Sequence, residues 1–246
     1  MHTPLIQEHN DSQKIVIFIH GFMGSPIQFE DFAYVVYDAG YSYSSVLLPG
    51  HGARVNDFIK TDADNWEYHL QSEIDKVKEK YDKIYLVGHS MGGLLAINAS
   101  LIKENKIAGV VMLSTPLKTN AFNFKFFFPK LKLLLYPKDN EIRSVYFKSN
   151  STGTSNVFLF LLFAKPFFSL HKLIRKTKRN LSQVFVPIRM IHSVNDEMTS
   201  YKSAKLLCDG LNNTQRDSFT LYESWHVYFF DDEKAFIKEK LLDFIK

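Results

Sequence analysis

Cysteine is nearly absent from this chain: 246 residues contain one, Cys208. A single thiol excludes an intrachain disulfide. No cluster of cysteine and histidine stands at ligand spacing, so the sequence offers no structural zinc site. Long apolar runs are missing as well. A bilayer-spanning helix needs about 20 consecutive apolar residues, and the longest candidate, VFLFLLFA at 157–164, stops at Lys165-Pro166. The opening stretch MHTPLIQE lacks the basic-then-apolar build of a secretory signal. These absences set the expected location as the cytoplasm. No internal repeat and no low-complexity linker interrupts the chain.

What is present is enough for a sizeable core, with 46% hydrophobic and 23% charged residues. The net charge of +4 hides an asymmetry. Residues 118–180 hold 13 Lys/Arg against 2 Asp/Glu and 11 of the 22 Phe, whereas the rest of the chain holds 17 Lys/Arg against 24 Asp/Glu. A basic, aromatic segment inside an otherwise acidic chain reads as a separate structural unit.

On either side of that segment, strand and helix signals alternate. The β-branched apolar run at 14–19 suits a strand buried on both faces of a parallel sheet, and 43–48, 84–87, 107–113, 186–192 and, shorter, 219–222 are further strand candidates. Helical periodicity appears at 27–38, 63–80, 91–103, 199–210 and 232–245. Strands alternating with helices predict an α/β fold, a mostly parallel sheet with helices on both faces.

The chemistry-bearing signal is VGHSMGG at 87–93, where a strand gives way to a helix. This Gly-x-Ser-x-Gly element proposes Ser90 as a nucleophile held in a strained turn, with Gly88 and Gly92 leaving room for the chain to double back. A serine there stands at a helix N-terminus, whose amides favour negative charge. Catalytic groups in such folds collect at the C-terminal ends of the parallel strands. Asp196 follows the strand 186–192 and His226 follows the strand around 219–222, giving the chain order Ser, Asp, His. Glu197 is the alternative acid, and His192 and His171 are rival bases that fit the strand-end logic less well. His20, His51 and His89 read as hydrogen-bonded supports of the loops they occupy.

In these residues the sequence resembles the α/β-hydrolase superfamily, and within it the small bacterial carboxylesterases and monoacylglycerol lipases. The matching motifs are His20-Gly21-Phe22-Met23-Gly24, Leu48-Pro49-Gly50-His51-Gly52, Gly88-His89-Ser90-Met91-Gly92-Gly93, Asp196 and Ser224-Trp225-His226. They span nearly the whole chain. One departure is Ser193, where relatives often carry glycine. The resemblance implies a hydrolase core at 1–116 and 184–246 and a helical lid inserted at 117–183, after the strand 107–113. It implies that Ser90 attacks an acyl carbon, that His226 relays the proton and that Asp196 orients the imidazole. The oxyanion hole is expected from the backbone N–H groups of Phe22 and Met91.

The expected function is a serine ester hydrolase of carboxylesterase or monoacylglycerol lipase type, acting on acyl esters of small to medium alcohols, monoacylglycerols among them, through an acyl-enzyme, with no metal or cofactor. Thioester, amide or C–C bond hydrolysis on the same scaffold is the alternative, as is a ligand-binding protein with vestigial activity, because the triad does not choose the scissile bond. The basic, aromatic lid is expected to bind the acyl chain and to touch anionic lipid surfaces transiently. No nucleic-acid motif accompanies its charge. Which lid residues within 117–183 contact substrate is not legible.

Overall fold

The computed structural model describes residues 2–119, 144–146, 148, 151 and 164–246. The Phe- and Lys-rich stretch 122–135 and most of the apolar run 157–164 lie outside them. The described strands are β1 (Leu5–Gln7), β2 (Lys14–Ile19), β3 (Ser42–Val46), β4 (Lys83–His89), β5 (Ile107–Leu113), β6 (Ile188–Ser193) and β7 (Arg216–Leu221). They form one sheet in the order β1-β3-β2-β4-β5-β6-β7, parallel throughout except for the antiparallel edge strand β1. The expected α/β-hydrolase architecture is therefore present.

Each central strand feeds two cores, because successive side chains point to opposite faces. In β2, Ile15, Ile17 and Ile19 join Trp66, Leu70 and Leu94 on one side, while Val16 and Phe18 join Phe32, Val36 and Leu241 on the other. Helices α1 (Glu30–Asp38) and α7 (Asp231–Ile245) cover the second face, and α3 (Ala63–Val77) and α4 (Met91–Ser100) cover the first. A four-residue helix, α2 (Val55–Phe58), precedes α3, and α6 (Lys202–Gly210) follows β6. The start of α3 is set by a capping box, with Asp62 and Asn65 exchanging side-chain-to-backbone hydrogen bonds.

Helix α4 is buried from Met91 to Ala99, because α5 (Ala164–Asn180) closes over the side that faces away from the sheet. Leu170, Leu173 and Ile174 of α5 belong to the same core as Trp66 and Leu94. Three of its lysines face the cap and first turns of α3: Lys165 on the capping Asp62 at 3.1 Å, Lys172 on Asp64 at 3.4 Å and Lys176 on Glu67 at 2.8 Å. Exposed pairs like these contribute about 0–1 kcal/mol each, so apolar packing is what seats the helix. No described helix is long and apolar enough to cross a membrane.

From β2 the chain runs outward to β3, then crosses back to β4 on the other side of β2. The loops that leave the C-terminal ends of β2 and β4 therefore diverge and open a crevice between them. The residues after β2 and after β4 are those of the Gly21–Gly24 loop and of the Ser90 turn.

Candidate active site

β4 ends at His89, and Ser90 turns the chain into α4 with φ 53° and ψ −118°. A positive φ is strained for a residue with a side chain and persists only where the surroundings fix it. Two contacts do so. The Ser90 N–H donates to the Leu113 carbonyl at the end of β5, 2.8 Å away. The backbone also crosses itself and β2 without side chains between: a Cβ on Gly88 would lie 2.4 Å from the Gly92 carbonyl, and one on Gly92 would lie 1.9 Å from the Ile19 carbonyl oxygen. Both glycines of the motif are thus required by close approach.

Asp196 and His226 meet although they are 30 residues apart. The His226 Nδ1–H donates to Asp196 Oδ2 at 2.8 Å, and both residues are buried. The other carboxylate oxygen, Oδ1, accepts the N–H groups of Met198 at 2.9 Å and Thr199 at 2.6 Å. Burial opposes the charge of Asp196, but His226 and these amides outweigh it and hold the carboxyl below its ordinary pKa. Burial likewise opposes a charged His226 ring. The facing Asp196 carboxylate, with a smaller contribution from Glu197, overcomes it and raises the imidazole above its ordinary value.

The backbone of His226 is clamped at both ends. Its carbonyl accepts the Nε2–H of His89 at 2.7 Å, and the two rings lie 4.8 Å apart. Its N–H donates to Glu197 Oε2 at 3.0 Å. The residue that precedes Ser90 therefore hydrogen-bonds the residue expected to be its base, which joins the two loops directly. Burial, then repulsion from His226, pushes His89 down to about 3, so its ring is neutral and one nitrogen is free to donate.

The loop after β2 is pinned by two more neutral histidines. His20 donates from Nδ1 to the Gly21 carbonyl at 2.9 Å and accepts the Leu48 N–H at Nε2. His51 donates from Nδ1 to the Pro49 carbonyl and accepts the Met23 N–H at 3.2 Å. Burial holds His20 well below its ordinary value and takes His51 to about 4. Met23 sits at φ 59°. With the Met23 amide engaged by His51, the Phe22 and Met91 amides have no hydrogen-bond partner among the described residues. The Phe22 ring is held by Phe58 and Trp66, at centroid distances of 5.0 and 6.1 Å.

The rival bases are engaged elsewhere. His192 donates from Nε2 to the Thr115 carbonyl, and His171 lies on α5 with its Nδ1 on the Phe167 carbonyl. Several supports were not legible in the sequence. Glu233 of α7 accepts the N–H groups of Tyr222, Glu223 and Ser224, which shapes the loop carrying His226. Ser193 donates its hydroxyl to the Ser224 carbonyl and accepts the Asn195 N–H at 3.1 Å. It thereby ties the Asp196 turn to the His226 loop. Among the described residues no group of three or more His, Cys, Asp or Glu side chains is placed to hold a metal ion.

The family model described as serine aminopeptidase, S33 matches residues 10–233. A thermostable monoacylglycerol lipase of a Bacillus species is 22% identical over 237 residues, covering 93% of this chain and 89% of that protein. A carboxylesterase of Bacillus subtilis is 20% identical over 257 residues, covering 99% and 97%. A solved structure of a metagenome-derived lipolytic enzyme superposes with a TM-score of 0.79 at 23% identity, covering 98% of this chain and 96% of that one.

Proposed function

Because this chain belongs to the serine aminopeptidase S33 family and is an α/β hydrolase of the esterase and lipase type, we propose that it cleaves carboxylic acyl esters through a Ser90–His226–Asp196 triad. The observation that carries this reading is the buried His226–Asp196 pair at 2.8 Å, joined by His89 to the strained turn that holds Ser90.

In this mechanism the Ser90 Oγ attacks the ester carbonyl carbon while His226 Nε2 takes its proton. Asp196 holds the Nδ1–H side of the ring and stabilises the imidazolium that forms. The negative charge that develops on the carbonyl oxygen falls between the N–H groups of Phe22 and Met91, each donor worth roughly 10²–10³ in rate. Collapse expels the alcohol, which takes the proton from His226, and leaves Ser90 acylated. Water, deprotonated by His226, then attacks the acyl carbon and releases the acid. Every atom transferred comes from substrate, water or these side chains, so the cycle is complete without a cofactor.

The substrate is proposed as an ester of a small or medium alcohol, monoacylglycerols included. The names of the curated relatives support an ester over an amide or a thioester. The lid at 117–183 is proposed to cover the crevice and bind the acyl chain, each buried methylene adding about 0.8 kcal/mol. The test is a series of p-nitrophenyl esters from acetate to palmitate, with Ser90→Ala as control. Hydrolysis by wild type alone is expected, with a maximum whose chain length measures the acyl site. Equal rates in Ser90→Ala refute the nucleophile, and a series without any turnover refutes the ester.

A further inference from the structure

The loop after β6 carries two consecutive carboxylates, and the mechanism above uses one. Asp196 faces the ring of His226. Glu197 faces its backbone: Oε2 accepts the His226 N–H at 3.0 Å, while Oε1 accepts the phenol O–H of Tyr146. Tyr146 belongs to the inserted segment, in a helical turn at 144–146. One carboxylate thus joins the insert to the residue proposed as general base. The opposite end of the His226 backbone is fixed by His89, at 2.7 Å from the carbonyl. Release of the Glu197 end would leave the ring held at one backbone end and at Nδ1 only.

Other contacts place the insert on this same loop. Thr119, two residues into the insert, pairs antiparallel with Thr199, whose own N–H donates to Asp196. The Ser200 N–H donates to the Lys118 carbonyl at 3.0 Å. On the far side of the crevice, the Ser151 N–H donates to the carbonyl of Met23 at 2.9 Å. Between them, Tyr146 and Ser151 therefore reach the His226 loop and the loop that carries Phe22.

We propose that Glu197 is a positioning residue that transmits docking of the insert, through Tyr146, to the backbone of His226. The proposal rests on His226 being the base of the triad. Two donors approach two different oxygens of Glu197, and a carboxylate accepts both. Glutamine keeps one acceptor oxygen and presents an NH2 donor in place of the other, so Glu197→Gln keeps the Tyr146 contact only if the phenol turns to accept, and it removes the charge beside His226. The groups that face His226 are Asp196 and Glu197 from the β6 loop, His192 from β6 and His89 from the end of β4. Burial keeps the two histidines neutral, which leaves the carboxylates as the charges that hold a proton on the ring. Removing the charge of Glu197 therefore favours the neutral, basic form of His226 at lower pH.

The experiment is steady-state hydrolysis of one p-nitrophenyl ester across pH by wild type, Glu197→Gln, Tyr146→Phe and the double variant, with Ser90→Ala alongside. For Glu197→Gln, kcat is expected to fall about tenfold with KM within about twofold, since sub-ångström misplacement of a base acts on the chemical step. The acid limb of kcat/KM should move to lower pH in that variant. Tyr146→Phe should lower kcat about threefold without moving the limb, and the double variant should match Glu197→Gln alone, because residues acting in series do not add. A Glu197→Gln enzyme with wild-type kcat and limb overturns the proposal, as do effects of the two substitutions that simply multiply. If Glu197→Gln shows no cooperative melt, Tyr146→Phe decides, and an unchanged kcat there overturns the link to the insert. Failure of the triad itself has a different signature, activity that survives in Ser90→Ala.

Discussion

Ser90 occupies a conformation, φ 53°, that costs a side-chain-bearing residue of order 1–3 kcal/mol. Such strain persists where the surroundings fix it, and here it sits at the junction of β4 with the N-terminus of α4. The proposed base carries a titration that can be followed. His226 must be neutral to accept the Ser90 proton, and the facing Asp196 raises its pKa above the ordinary histidine value. The acid limb of kcat/KM is therefore expected to have its midpoint above about pH 6.5. Asp196→Asn removes the largest raising influence, so its residual activity should show a midpoint at lower pH than wild type. A midpoint that stays in place, or rises, in Asp196→Asn contradicts the pairing as the source of the shift.

At the scale of elements, the strands that form the middle of the sheet were legible because they are continuous apolar runs: 14–19 and 107–113 coincide with β2 and β5. The edges were less so. β1, three residues in length with an exposed centre, has no periodicity to read. β7 begins at Arg216 rather than 219 because its first half is polar and exposed at a sheet edge. The expected strand 186–192 begins at Ile188, since Pro187 has no N–H for the ladder and serves only as an acceptor, for Val110. The helix expected from 199 starts at Lys202, because Thr199 pairs antiparallel with Thr119 and the Ser200 amide bonds the Lys118 carbonyl, which holds this stretch extended. Of the site, Gly88, Ser90 and Gly92 carried a local signal, as their roles follow from a turn within one pentapeptide. The supporting roles of Ser193, Glu197 and Glu233 carried none. Each acts on a loop that is distant in sequence, through hydrogen bonds that only the fold assembles.

At the scale of the molecule, one crevice gathers the ends of β2, β4, β6 and β7, and four buried neutral histidines line or brace it: His20, His51, His89 and His192. All four have folded-state pKa values below the unfolded one, with His51 at about 4 and His89 at about 3. The unfolded chain therefore binds more protons than the folded one below about pH 6.5, and the stability these groups contribute is present above that pH and lost as pH falls through the interval toward 4. Each such histidine steepens the loss by up to about 1.4 kcal/mol per pH unit. The raised His226 acts in the opposite sense, with stability present below about pH 6.5 and lost as pH rises through its folded value. Thermal melting across pH should show Tm falling steeply from pH 6.5 to 4, and a flat Tm over that interval contradicts the neutral, buried assignment. The chemistry itself is tested most directly by reaction of the wild-type protein with a fluorophosphonate, followed by mass analysis of its peptides. One adduct is expected, on the peptide bearing Ser90, and absent from Ser90→Ala. An unmodified Ser90 peptide, or equal labelling of the Ser90→Ala protein, would contradict Ser90 as the nucleophile.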